Sequence, residues 1–221
     1  IVGHPVFLDD LQEAHDPDWR ESTAPGMEKA PWVSALISEL GGKIMTGIKA
    51  VAHVNPGNLL ASTMLATHRH SLGEKDLAGQ LELYQQLISE GPFGNKVSVT
   101  GKTPADIIDY CRELGLLRVD AHPLGDIISL EEKKSVELTY FRNTVSHLFA
   151  APSLIACCFL NQHEIRRDQL HLIASTVYPF LKTELFLPWS EEEFPEVIQQ
   201  NIELLLSRGL LSISDDGQTV H

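Results

Sequence analysis

TPADIIDYCRELGLLRVDAHPLGDIISL, residues 103–130, encodes a helix with a marked start and stop, followed by two short alternating segments. The Thr103 hydroxyl can accept from a free backbone N–H of the first turn. Pro104 suits the first helical position, and the Asp106 carboxylate favours the positive helix end. Gly115 can take the left-handed conformation that closes a helix. LLRVD and DIISL then flank a turn through Pro123 and Gly125, so the stretch predicts a helix running into a β-hairpin.

The same order recurs at a spacing near 94 residues, in character more than in identity. Ser190-Glu191-Glu192-Glu193 stands where Thr103-Pro104-Ala105-Asp106 stands. Gly209 lies 94 residues after Gly115, and LLSIS, Asp216-Gly217 and QTVH repeat the hairpin, the Asp-Gly pair being a strong two-residue turn signal. Upstream of these, Leu77, Leu81, Tyr84 and Ile88 form one apolar helical stripe, which Leu170, Ala174, Val177 and Leu181 repeat 93 residues later. NLLASTMLATHRH is echoed by SLIACCFLNQH. Three helices and a small hairpin are the winged-helix pattern, so the expectation is a mainly α chain with two tandem winged-helix-like units, each ending in a short β-hairpin. The alternative is an irregular helical domain whose copies resemble one another by chance.

The expected segments are a connector at 1–31, a first unit at 32–137 and a second at 138–221. The connector holds the proline- and turn-rich stretch HDPDWRESTAPGMEKAP. From Trp32 the residues Val33, Leu36, Ile37, Leu40, Ile44 and Ile48 have helical spacing, with Gly41 and Gly42 as a weak point. This helix carries only Lys43 and Lys49 and so lacks the basic face of an interfacial helix, and core packing is expected of it.

YFRNTVSHLFAAPSLIACCFL, Tyr140 to Leu160, sets Arg142, Asn143 and His147 ahead of a thirteen-residue uncharged run. That run is shorter than the roughly 20 residues of a membrane span and is interrupted by Pro152, which predicts a buried core helix. Cys111, Cys157 and Cys158 lie in apolar sequence without C-x-x-C spacing, the pattern of reduced structural thiols.

With 43% hydrophobic residues the chain can bury a real core, while its formal charge of −13 repels nucleic-acid phosphates and anionic lipid. Lys133 and Lys134 follow Glu131 and Glu132, and Arg166 and Arg167 sit between Glu164 and Asp168, mixtures typical of solvated helix faces. The helix TPADIIDYCRELG presents Asp106, Asp109 and Glu113 against one Arg112, and EEFPEVIQQNIELLLSRG has acidic residues and a single Arg208; both are wrong for reading DNA, so no nucleic-acid partner is expected.

There is no G-x-S-x-G turn and no G-x-x-x-x-G-K cradle, and His68-Arg69-His70 is expected to be a surface helix end. His-x-x-x-x-Asp occurs at His4 to Asp9 and His163 to Asp168; with ten histidines such spacings arise readily. No catalytic residue, metal or cofactor is assigned. IVGHPVFL at the start has neither an initiating methionine nor a basic region with an apolar core, and is expected to be an internal segment of a longer protein.

Taken together, DPDWRES (Asp16–Ser22), NLLASTMLATHRHSL (Asn58–Leu72), GDIISL (Gly125–Leu130), LTYFRNTVSHLFAAPSLIA (Leu138–Ala156) and YPFLKTELFLPW (Tyr178–Trp189) resemble the membrane-bound bacterial glycerol-3-phosphate acyltransferases, over nearly the whole chain. YFRN-x-x-x-H-x-F and FLKTELFL carry the resemblance most specifically. The matching region is the one after the catalytic domain, and Gly3 to Leu8 look like the last strand of that domain.

The resemblance implies a longer protein that transfers an acyl group from acyl-CoA or acyl carrier protein to the 1-hydroxyl of glycerol 3-phosphate. That is the first step of phospholipid synthesis, carried out at the cytoplasmic face of the bacterial inner membrane. The family's catalytic His-x-x-x-x-Asp block lies upstream, and neither His4 nor His163 matches it, so this segment alone is expected to be silent. Arg142, Asn143 and His147 are the candidate contacts to substrate or to the adjoining acyltransferase domain, against a purely structural reading as buried polar caps. A further alternative is a non-catalytic winged-helix-like module that docks a partner such as acyl carrier protein, although that protein and this chain are both acidic.

Overall fold

A computed structural model describes residues 5–22, 30–93, 96–123 and 125–221, and its contacts divide the chain into units Ile1–Val51 and Ala52–His221. The chain is mainly α-helical.

The first unit contains α1 (Leu8–His15), α2 (Trp19–Ser22) and α3 (Trp32–Ala50). Two residues of the expected Gly3–Leu8 strand lie outside the described residues. Within them, 5–7 form no strand, and Leu8 opens α1 with Asp9 and Asp10 in the first turn, where the helix dipole favours carboxylates. α3 runs unbroken through Gly41 and Gly42. It packs on α1 with Leu36 buried, and Glu39 takes contacts from His15 (2.8 Å) and Lys43 (2.9 Å). The Lys43 and His15 contacts hold the Glu39 carboxyl below its ordinary range. Core packing of the whole apolar stripe is not what the structure shows: Ile37, Ile44 and Ile48 are 56%, 44% and 59% exposed. A short α1 covers only part of a nineteen-residue helix.

The second unit repeats one order of elements twice. First come α4 (Pro56–Met64), β2 (Ser71–Gly73), α5 (Glu74–Ser89), α6 (Pro104–Glu113), β4 (Leu117–Asp120) and β5 (Ile127–Leu130). α7 (Ser135–Val145) and a 3-10 turn at Ser146–Phe149 lead into the second series. This is α8 (Ala150–Cys157), β6 (Ile165–Arg166), α9 (Arg167–Leu185), α10 (Phe194–Ser207) and β7 (Thr219–Val220).

In the first series β2, β5 and β4 form an antiparallel sheet in that order, with Leu72 opposite Ile128 and Val119 opposite Ile128. In the second, β6 pairs antiparallel with β7, Ile165 opposite Val220, while Ile213 bridges Val220. The leading strands β2 and β6 were not expected from the sequence. A separate parallel pair joins β1 (His53–Val54) to β3 (Ser98–Val99).

Local chemistry explains the boundaries. Thr103 and Asp106 form a reciprocal capping box at α6, and Ser190 and Glu193 exchange the same pair of bonds one turn ahead of α10. Gly115 and Gly209 both adopt φ +66°, a conformation that costs a residue with a Cβ about 1–2 kcal/mol. Gly217, at φ +69°, turns the second hairpin, where the Ser214 N–H donates to the Thr219 carbonyl.

Each series has its own apolar core. The first is built on α4, all of whose residues are buried, with Leu59, Leu60, Leu77, Leu81, Ile107 and Leu138 at its centre. Asn58 joins α4 to α7 by donating to the Phe141 carbonyl (2.8 Å) and to Thr144 Oγ1 (3.0 Å). The second core centres on Tyr178, stacked on Phe194 at 3.6 Å between ring centroids, its hydroxyl donating to the Trp189 carbonyl at 2.7 Å. Phe93 packs against both cores, and Arg208 pairs with Glu90 across them.

The expected thirteen-residue core helix is shorter than the sequence suggested. Only Ala150–Cys157 is α-helical; Ala150, Ala151 and Ile155 are buried, whereas Ser153, Ala156, Cys157 and Leu160 are exposed. An uncharged run says which residues tolerate burial, while packing decides which face is covered. Pro152 sits in the first turn of α8, where its missing N–H costs no helical hydrogen bond. Among the described residues no helix is long and apolar enough to cross a membrane.

Candidate functional site

Where the two series meet, α4, α5, α7, α8, α10 and the chain after it leave a largely apolar cavity of about 460 Å3. One wall is Tyr84 and Leu87 of α5, with the Tyr84 ring 4.8 Å from that of Phe149. The other is made by Ile155 and Ala156 of α8 with Leu205 and Leu211. Burial pushes the Tyr84 phenol above its ordinary value, so it stays a neutral donor well past neutral pH.

Polar side chains also line this apolar space, Arg142 and Ser62 among them. Arg142 of α7 lines it half-buried, its Nε and Nη2 donating to Asn143 Oδ1 at 3.3 and 3.2 Å. Ser62 of α4 also lines it, with 7% of its surface exposed and, among the described residues, no hydrogen-bond partner for its hydroxyl. A buried hydroxyl left unsatisfied costs about 1–3 kcal/mol. Such a cost is unusual in a well-packed interior.

Of the three candidates on this segment, the structure brings Arg142 and Asn143 together, with Asn143 exposed. His147 is only 1% exposed, sits edge-on to Phe93 at 5.6 Å between ring centroids, and does not line the cavity. Ser62, Tyr84, Leu205 and Leu211 carried no signal as site residues in the sequence. Tyr84 was legible only as part of a packing stripe.

Of the two His-x-x-x-x-Asp spacings, only that from His163 to Asp168 is wholly described, and its aspartate is engaged elsewhere. His4 lies outside the described residues. Asp168 accepts two bonds from the Arg166 guanidinium, at 3.0 and 2.9 Å, and one from the Gln169 N–H, rather than orienting His163. Those contacts hold the Asp168 carboxyl below the usual carboxylate range. His68, Arg69 and His70 are exposed, and among the described residues no group of three His, Cys, Asp or Glu side chains could hold a metal ion.

Cys111 is buried and its thiol is pushed up to about 12 by that burial, which makes it inert. Cys157 differs from the structural role expected of it: it is exposed, because adjacent residues on α8 point to different faces. α6 and α10 present exposed acidic groups, with Arg112 engaged by Asp109.

Residues 2–221 match the family model described as glycerol-3-phosphate acyltransferase C-terminal region. The chain is 45% identical over 215 residues to a glycerol-3-phosphate acyltransferase of Xanthomonas axonopodis pv. citri (strain 306), a match covering 97% of this chain and 24% of that protein. It is 41% identical over 214 residues to the protein of that name in Xylella fastidiosa (strain 9a5c), covering 97% of this chain and 25% of that protein. For that of Pseudomonas fluorescens (strain SBW25), the identity is 33% over 214 residues, covering 97% of this chain and 26% of that protein. The chain thus spans about a quarter of the length of the curated relatives it matches.

Proposed function

The chain belongs to the glycerol-3-phosphate acyltransferase C-terminal region family, and from that premise we propose that it is the non-catalytic helical companion of an acyltransferase domain on the same polypeptide. In this reading the whole protein transfers an acyl group from acyl-CoA or acyl carrier protein to the 1-hydroxyl of glycerol 3-phosphate, at the cytoplasmic face of the bacterial inner membrane. The observation that carries the division of labour is the state of the groups at the His163 to Asp168 spacing: the Asp168 carboxylate is committed to Arg166. A general base must reach the attacking hydroxyl within hydrogen-bond distance, and a carboxylate so engaged has no such freedom.

Each series of elements is a winged-helix unit in this account, with β2 and β6 as the leading strands. The acidic exposed faces of α6 and α10 direct these units toward protein contact and away from nucleic acid. The uncovered stripe Ile37, Ile44 and Ile48 on α3 is where the acyltransferase domain docks, since most of the relatives' length lies outside the region matched here.

Arg142 and Asn143 belong to the substrate-responsive part of the whole protein, whereas His147 serves as a buried packing group beside Phe93. The test is to express the upstream region and this chain as two polypeptides. They should copurify, and acyl transfer should be restored only when both are present. Replacing Ile44 with Asp should abolish both effects. Full activity of the upstream region alone, or copurification insensitive to that substitution, would refute the reading.

A further inference from the structure

We propose that the cavity between the two series binds a single-chain anionic amphiphile: its hydrocarbon chain lies along the apolar walls and its head group on Arg142. The assignment stands on the cavity alone and holds whether or not the chain partners an acyltransferase domain.

The volume of about 460 Å3 falls within the roughly 300–1,000 Å3 typical of small-molecule sites. Its walls, formed by Tyr84, Leu87, Phe149, Ile155, Leu205 and Leu211, suit a chain without polar atoms. A polar ligand would forfeit its hydration against them without gaining bonds. Among the described residues, Arg142 is the one cationic side chain that lines the space, and no carboxylate does. A planar guanidinium presents paired donors to a carboxylate or phosphate, and in a partly dry setting that contact is stronger than at an open surface.

Ser62 supplies an independent indication. The residue is more than nine-tenths buried and lines the cavity, and its hydroxyl has no partner among the described residues. A ligand oxygen would satisfy it. Apolar walls, a lone guanidinium and an unsatisfied hydroxyl together describe a fatty carboxylate or a monoalkyl phosphate. They do not describe a sugar, a nucleotide or a metal ion.

Isothermal titration calorimetry of the full 221-residue chain with dodecanoate, dodecyl phosphate and 1-dodecanol, each below its aggregation threshold, tests this. Both anions should bind saturably with one molecule per chain, and the alcohol roughly tenfold or more weaker, reflecting the lost charge-assisted hydrogen bond. Shortening the anion by two methylenes should weaken it roughly tenfold. Preference for the carboxylate identifies a fatty acid as the ligand and preference for the phosphate a phosphorylated lipid; either supports the proposal.

Arg142→Gln should bring the anions down to the level of the alcohol. Ala156→Trp, at an exposed position lining the cavity, should weaken all three while leaving the fold intact. Ser62→Ala should raise the melting temperature of the empty chain and weaken the anions. Binding unaltered by Ala156→Trp, equal affinity for alcohol and anion, or no saturable heat would overturn the proposal.

Discussion

Asn58 is the strongest single tie between the start of the first core and the helix that carries Arg142, and its replacement has a calculable cost. The side chain is 97% buried. Its Oδ1 accepts from the Asn55 N–H at 2.9 Å, and its Nδ2 donates to the Phe141 carbonyl at 2.8 Å and to Thr144 Oγ1 at 3.0 Å. Asn58→Ala removes these three bonds but keeps the fourth, from the Asn58 N–H to Asn55 Oδ1. At about 1 kcal/mol each, the loss is about 3 kcal/mol. The Phe141 carbonyl retains the Thr144 hydroxyl at 2.7 Å, which limits the penalty of leaving it unpaired.

Asn55→Ala removes only the cap acceptor and should cost about 1 kcal/mol. Urea unfolding followed by circular dichroism measures both. The expected result is a lower midpoint for each variant, an unchanged slope, and a loss about three times larger for Asn58→Ala. Equal losses, or a loss under about 1 kcal/mol for Asn58→Ala, would show that α4 and α7 are held by apolar packing alone.

Gly115→Ala and Gly209→Ala should each destabilise the chain by about 1–2 kcal/mol in the same assay; no atom crowds either position, so the backbone conformation is the whole cause. Native protein treated with a thiol-disulfide reagent near pH 8 should be labelled rapidly at Cys157, while Cys111 should react only on unfolding. Stability should fall at alkaline pH. Burial raises both the Cys111 thiol and the Tyr178 phenol to about 12 in the folded chain, from reference values of 9.0 and 10.0. The folded state therefore holds these protons more tightly, so the associated stability is complete below about pH 9 and lost as pH rises toward 12. Denaturant midpoints measured across that range check it, with Tyr178→Phe flattening the upper part of the decline.

What the sequence revealed depended on how local the cause was. The capping residue Thr103, the closing glycines Gly115 and Gly209 and the Asp216-Gly217 turn act within a few bonds, and each appears in the structure where it was read, whereas Ser190 makes its bonds to Glu193 one turn before α10 begins at Phe194. β2 and β6 escaped notice because three and two residues are too few to show alternation, and their pairing with β5 and β7 is decided by distant chain. The stripe on α3 was legible as apolar, but periodicity cannot say whether a partner covers it. The cavity was the least legible feature, because Ser62, Tyr84, Arg142, Ala156 and Leu205 come from five helices and meet only through packing. Arg142 was legible as a polar group ahead of an uncharged run and Tyr84 as part of an apolar helical stripe, and nothing local could reveal that Ser62 would be buried without a partner among the described residues.

The division of labour proposed for this chain is tested most directly by incubating the purified 221-residue protein with radiolabelled glycerol 3-phosphate and palmitoyl-CoA, beside a full-length relative. The expected result is labelled lysophosphatidate from the full-length enzyme and none above a heat-killed control from this chain. Sustained transfer by the chain alone, lost on replacing His163 or Asp168, would contradict the account.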